Sequence, residues 1–230
     1  MALIGQGVLI IWHGMTPEGD LEMIRWHDRE HVAERVGIPG FRRGRRYDSS
    51  ERPREYLDVY ETDGVETVRS AAYVLRLNFP TEWTKRVLPH FRNTVRLGCR
   101  IALTTGRGQG GGLLTLRARP EPGRDAALER WLRETAPTAL LDETGVIGVH
   151  LLSTVPAVTQ VKTAEGKLKG GEVAKGEEPW PWVLLVETGG AGFTDAIADR
   201  YFKPADLAGH GVAGDAVLGR HRLQLTMDEA

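Results

Sequence analysis

The stretch RWHDREH (25–31) sets two histidines, an aspartate and a glutamate within one helix-like segment. Two chemistries are open to it. A carboxylate three residues from an imidazole on a helix is within side-chain reach. Such a carboxylate fixes the tautomer and raises the basicity of the imidazole, which general acid/base catalysis requires. On a wheel of about 100° per residue with Leu21 at zero, Val32, Val36 and Ile24 form an apolar stripe, His31 falls at its edge, and Asp28 falls inside it. A carboxylate on a buried face needs a partner, so the expectation is an Asp28–His31 catalytic dyad, with the ordinary satisfied edge histidine as the structural alternative. His27 and His31 are also four apart, a spacing that can place two imidazoles on one metal. No third ligand stands at an informative spacing, and HDREH is not HExxH, so no metal is expected.

Other side chains are candidates for binding substrate. His13 ends a strand-like run in the parity of Leu9 and Ile11 and should share their face. His27 lies further toward solvent on the wheel and is placed in the outer part of a site. The run FRRGRRY (41–47) carries four arginines. Arg46 is the one taken as a substrate contact, because a guanidinium can hold a carboxylate bidentately; pairing with Glu55, Asp58 or Glu61 is the structural reading for most of the others. Tyr47 and Tyr60 are hydroxyl donors, and Trp83 is either an apolar wall or core.

The elements that must position these groups follow from an internal repeat. An offset of 105 aligns residues 7–26 with 112–131, matching Gly7, Leu9, Pro17, Asp20, Arg25 and Trp26 to Gly112, Leu114, Pro122, Asp125, Arg130 and Trp131, and Gly40 to Gly145. YETDG (60–64) then matches VETGG (186–190), and RIALT (100–104) matches RLQLT (222–226). Each copy reads as strand, helix, two strands, helix, strand. The division is 1–106, a glycine-rich linker at 107–112, and 113–230 with an insertion at about 155–181 that reads as a mobile loop or hairpin extension. That order is the ferredoxin-like βαββαβ unit, and two such sheets packed face to face give an α+β barrel. At the fixed offset Ala136 stands opposite His31 and Arg133 opposite Asp28, so one site per chain is expected, with the second copy as scaffold.

Composition excludes several classes. Thirty Lys plus Arg against 31 Asp plus Glu give a net charge of -1, with no electrostatic footprint for nucleic acid or an anionic membrane. The single Cys99 excludes an intramolecular disulfide framework and fits a reducing, cytoplasmic setting. The apolar run near the start lacks a basic region before it and a cleavage signal after it, and reads as a first strand. No GxSxG elbow, Walker loop or strand-borne GxGxxG is present.

The segments EHVAERVGIPGFRRGRRY (30–47), YLDVYE (56–61) and SAAY with PTEWTKRVLPHFRNTVR (70–96) resemble the dimeric α+β barrel superfamily, in the EthD-like neighbourhood. The resemblance implies the fold, and by analogy cofactor-free monooxygenases, isomerases and lyases, or haem enzymes of the chlorite dismutase and aldoxime dehydratase type. A haem would need an axial histidine, for which His31, His90, His150 and His210 are formally available. The reading is a cofactor-independent enzyme acting on a small apolar or aromatic carbonyl metabolite, with His31 as base or acid and Asp28 orienting it. Its alternatives are a haem enzyme and a non-catalytic ligand-binding or stress-response protein. Exposed strand edges and the off-stripe Trp26 and Trp131 leave a homodimer as the candidate assembly.

Overall fold

The computed structural model describes residues 3–159, 163–170 and 180–229. The order is β1 (Gly7–Met15), α1 (Asp20–Trp26), a π-helical turn (His27–His31), α2 (Val32–Val36), β2 (Phe41–Ser49), β3 (Glu55–Thr62), α3 (Ala71–Asn78), α4 (Glu82–Val87) and β4 (Phe91–Gly106). It continues with β5 (Gly112–Ala118), α5 (Asp125–Arg130), a second π-helical turn (Trp131–Thr135), α6 (Ala136–Leu141), β6 (Val146–Thr154), α7 (Pro156–Thr159), α8 (Ala164–Leu168), β7 (Trp182–Thr188), α9 (Ala191–Tyr201), α10 (Pro204–Gly209) and β8 (Val217–Asp228). The chain is α+β, and its strands run β1-β3-β2-β8-β5-β7-β6-β4 in a closed antiparallel barrel. This is the ferredoxin-like α+β barrel architecture that the repeat implies.

The chain divides into two compact units. One, the histidine-bearing unit, comprises residues 4–100, 155–179 and 224–230; the other comprises 1–3, 101–154 and 180–223. Within the first, β1 pairs with both β3 and β4, and β3 pairs with β2. Within the second, β5 pairs with both β7 and β8, and β7 pairs with β6. Matched details recur at the aligned positions. Gly40 and Gly145 adopt φ of 89° and 85°, a region L side chains rarely enter, and each carbonyl accepts a backbone hydrogen bond, from Asp63 and Gly189 respectively.

Helix starts follow the local chemistry. Ser70 and Thr81 accept backbone hydrogen bonds from Tyr73 and Thr84 and so cap α3 and α4. The helical layer of the histidine-bearing unit then closes over the sheet in two apolar groups. Leu9, Val32, Val36, Phe41, Tyr60 and Tyr73 are among the members of one. Met15, Met23, Trp26, Tyr56, Val87 and Phe91 belong to the other, with Trp83 and Leu168 at its margin.

The helix wheel is corrected here. Leu21, taken as the centre of the buried stripe, is 69% exposed, whereas Met23 and Trp26 are fully buried. The real stripe is therefore rotated toward Trp26, His27 and His31. Trp26 and Trp131 are core residues of their own units, which removes them as an argument for a homodimer.

The insertion is only partly among the described residues; 160–162 and 171–179 lie outside them. What is described packs on the first copy. Ala164 N–H donates to Asn78 Oδ1 (3.1 Å), Gly170 N–H donates to the Leu88 carbonyl (3.2 Å), and Leu168 joins the Trp26 group.

Candidate functional site

Antiparallel pairing places Ile11 opposite Asp58 and His13 opposite Tyr56. Side chains alternate along a strand, so His13, Tyr56, Asp58 and Tyr60 emerge on the same sheet face as Leu9, under the helices. The expected orientation of His13 is thus the observed one. From above, the turn His27–His31 delivers two more imidazoles. All three are buried, His13 to 2%, His27 to 1% and His31 to 9% exposure, which makes His31 the one nearest solvent.

Asp58 lies at the centre of this group. Its Oδ2 is 3.2 Å from His13 Nε2 and its Oδ1 is 3.6 Å from His27 Nδ1. A carboxylate only accepts, so the His13 nitrogen that faces it, Nε2, is a donor, and His13 Nδ1 is buried without a hydrogen-bond partner. Burial alone would raise the Asp58 pKa, but His27, His13 and Arg46 outweigh it and hold the carboxyl below its ordinary range. Burial pushes His27 down to about 4, against the opposing pull of Asp58. It also pushes His31 well below its ordinary value, an effect that Arg35, His27 and Lys169 reinforce. Both imidazoles are therefore neutral at physiological pH, and His31 Nδ1 is buried with no hydrogen-bond partner.

Aromatic rings enclose the cluster. His31 lies 3.9 Å from Trp26 and stacks on His27 at 5.1 Å, while His13 stacks between Phe91 (4.3 Å) and Tyr56 (5.6 Å). Trp26 is held by its indole N–H, which donates to Thr84 Oγ1 at 3.3 Å, and the Tyr56 hydroxyl donates to Asp20 (2.7 Å). The buried Tyr60 hydroxyl has no hydrogen-bond partner, and burial, with Asp58 nearby, drives its pKa well above the usual phenol value.

The Asp28–His31 dyad does not form. Asp28 is 43% exposed at its side chain and pairs with Arg46 Nη2 at 2.9 Å. Two causes combine: the buried stripe is rotated, and the π turn advances by only roughly 80° per residue, which spreads an i, i+3 pair further apart than in an α-helix. His27, assigned to the outer part of a site, is instead inside it. Arg46 is occupied by Asp28, by Gln224 Oε1 (2.9 Å) and by the Ile24 carbonyl (3.3 Å). Tyr47 has the strand parity opposite to Arg46 and lies on the other sheet face, with the Arg45 guanidinium 5.8 Å from its ring. Trp83 sits half-buried at the edge of the Trp26 group and donates its N–H to Glu22 (2.8 Å). The salt-bridge reading of the arginine strand holds for Arg45, 3.0 Å from Glu61, and for Arg43, 3.7 Å from the same carboxylate, with Asp228 as a further Arg43 partner at 2.6 Å.

Three site residues were missed. Asp58 was legible as a carboxylate in the parity of Tyr56 and Tyr60, but it had been paired only with arginines. Phe91 carries no local signal. Lys169 sits in the insertion, where composition suggests only a loop. Yet its Nζ lies 5.3 Å from the Phe91 ring centroid.

The second unit carries apolar side chains at the corresponding positions. The aligned partners of His13, His27, His31 and Asp58 are Ala118, Leu132, Ala136 and Leu184, all buried in one apolar core. Among the described residues no three His, Cys, Asp or Glu side chains are arranged to hold a metal ion. Of the four histidines formally available to a haem iron, His31 has Trp26 and His27 against its ring, His150 and His90 bond Thr104 and Thr16 through Nδ1 (2.8 Å each), and His210 stacks on Trp131. No helix is long and apolar enough to cross a membrane.

No family model matches the chain, and no curated protein does. Solved structures share its fold. An anthrone oxidase-like protein superposes with a TM-score of 0.66 at 13% identity, covering 100% of this chain and 96% of that one. A proposed monooxygenase from Fusobacterium nucleatum gives 0.61 at 10% identity, covering 99% and 97%, and one from Lactobacillus acidophilus gives 0.57 at 10%, covering 98% and 97%.

Proposed function

We propose that the protein is a cofactor-independent enzyme that removes a proton from a small, aromatic, carbonyl-activated substrate at His31. The observation that carries this reading is the contrast between the units. One fold position, occupied twice, holds Ala, Leu, Ala and Leu in the second unit and three imidazoles around a carboxylate in the first. Burying such groups opposes folding, so their presence calls for a role that apolar residues cannot supply.

His31 is the most accessible imidazole of the three, neutral and able to accept a proton. The imidazolium it forms is stabilised by the negative charge of Asp58 behind His27 and by the substrate anion in front. Trp26, Phe91 and Tyr56 make the walls around the imidazoles aromatic and apolar, surroundings suited to an aromatic substrate. Among the chemistries open to such an anion, oxidation by dioxygen has the support of the names carried by the structural neighbours. An activated methylene loses a proton to His31, the carbanion is oxidised by dioxygen, a carbonyl forms at that carbon, and water leaves. Isomerisation and carbon–carbon cleavage share the first step and consume no oxygen.

The test is oxygen uptake with anthrone as probe substrate. Wild-type protein is expected to consume one dioxygen per carbonyl formed, and His31→Ala to lose about a hundredfold or more in turnover. Turnover within a few fold of wild type in His31→Ala would overturn the assignment.

A further inference from the structure

The described part of the insertion brings a cation to the histidine cluster. Two anchors fix it. Glu165 Oε1 is 2.6 Å from Arg35 Nη2, both groups being buried, and Gly170 is seated so closely that an added Cβ would lie 2.0 Å from the Pro89 carbonyl oxygen. Lys169 stands between these anchors, so its stem is held over the site. Its ammonium lies above Phe91, whose ring also stacks on His13.

The ionic accounting singles Lys169 out. Glu165 is taken by Arg35, Asp28 by Arg46, and Asp58 faces His13 and His27. Among the described residues no carboxylate lies within ion-pair distance of Lys169. The charged groups acting on it are Glu165, Arg96, Asp58 and Arg35, and with burial as the largest cause its pKa falls to about 8. Lys169 in turn is one of the charges that disfavour protonation of His31. An ammonium beside a neutral base and unpaired by carboxylate is complementary to an anion.

We propose that Lys169 is the oxyanion-binding residue of this site, so that the substrates are phenols or enolisable ketones bound through an oxygen that becomes negative. The inference rests on the acid/base reading of the cluster and adds the group that receives the charge. The substrate gives its proton to His31 Nδ1 or Nε2, the electron pair passes to the oxygen, and Lys169 Nζ–H donates to that oxygen.

The experiment needs no turnover. 4-Nitrophenol, whose anion is yellow, is titrated with pH in the presence of saturating protein. Wild type is expected to lower its apparent pKa by about one unit or more, the effect of a neighbouring cation. Lys169→Arg should preserve the shift, and Lys169→Met should abolish it while retaining the wild-type melting profile. An equal shift in wild type and Lys169→Met overturns the inference, as does failure of 4-nitrophenol to bind. Either result is separable from the base assignment, which is read by His31→Ala in oxygen uptake.

Discussion

At the scale of single residues, Asp58 is the group on which the others depend. It faces His13 at 3.2 Å and His27 at 3.6 Å, and it is the carboxylate placed to offset an imidazolium. Asp58→Asn keeps the shape and removes the charge. Turnover should fall by about 10²–10⁴-fold, the range for loss of acid/base assistance, and His27, which Asp58 pulls upward, should titrate lower still by NMR. An unchanged His27 titration would remove Asp58 from this role.

At the scale of elements, two contacts hold the imidazoles over the sheet. Gly44 on β2 lets α2 approach: a Cβ there would lie 2.8 Å from Val32 and 3.1 Å from Tyr60. Gly44→Ala should cost about 1–3 kcal/mol through overpacking, read as a lower denaturant midpoint, and unaltered stability would show that the helix is not held there. The Arg35–Glu165 pair fastens α8 to α2. Glu165→Ala leaves the Arg35 guanidinium buried without that partner, a loss of about 3–5 kcal/mol. Limited proteolysis at Lys167 or Lys169 should therefore accelerate in that variant, and an unchanged cleavage rate would rule out the anchor.

For the whole molecule, buried neutral histidines make stability depend on acid. His27 binds its proton at about 4 in the folded state against 6.5 unfolded, so between those values the unfolded state holds more protons and stability rises with pH. Its contribution is complete above about 6.5 and declines as pH falls toward 4, by about 3 kcal/mol in all. His31 acts in the same direction. In the second unit His221, pushed down to about 3 by burial and then by Arg117, does likewise. Denaturant unfolding at pH 7, 6 and 5 should show this decline, with a shallower slope in His27→Gln. An equal slope in that variant would sink the linkage. Asp58, whose folded pKa lies below 3.8, adds its loss only at lower pH.

The βαββαβ order, the barrel and the strand face of His13 were determined by the sequence itself, because alternation, helix stops and an internal offset are local or self-referential signals. The absence of the cluster from the second copy was legible too, at His31 and Ala136. Which carboxylate meets which imidazole was decided only by tertiary structure. Asp58 reaches His13 and His27 through strand pairing and helix docking, contacts between residues far apart in the chain, whereas the nearer Asp28 is carried away by the rotated stripe and the π turn to Arg46. Lys169 was the least legible of all. Nothing in a Lys, Glu and Gly-rich insertion distinguishes one lysine from its neighbours until Glu165 and Gly170 fasten it over Phe91.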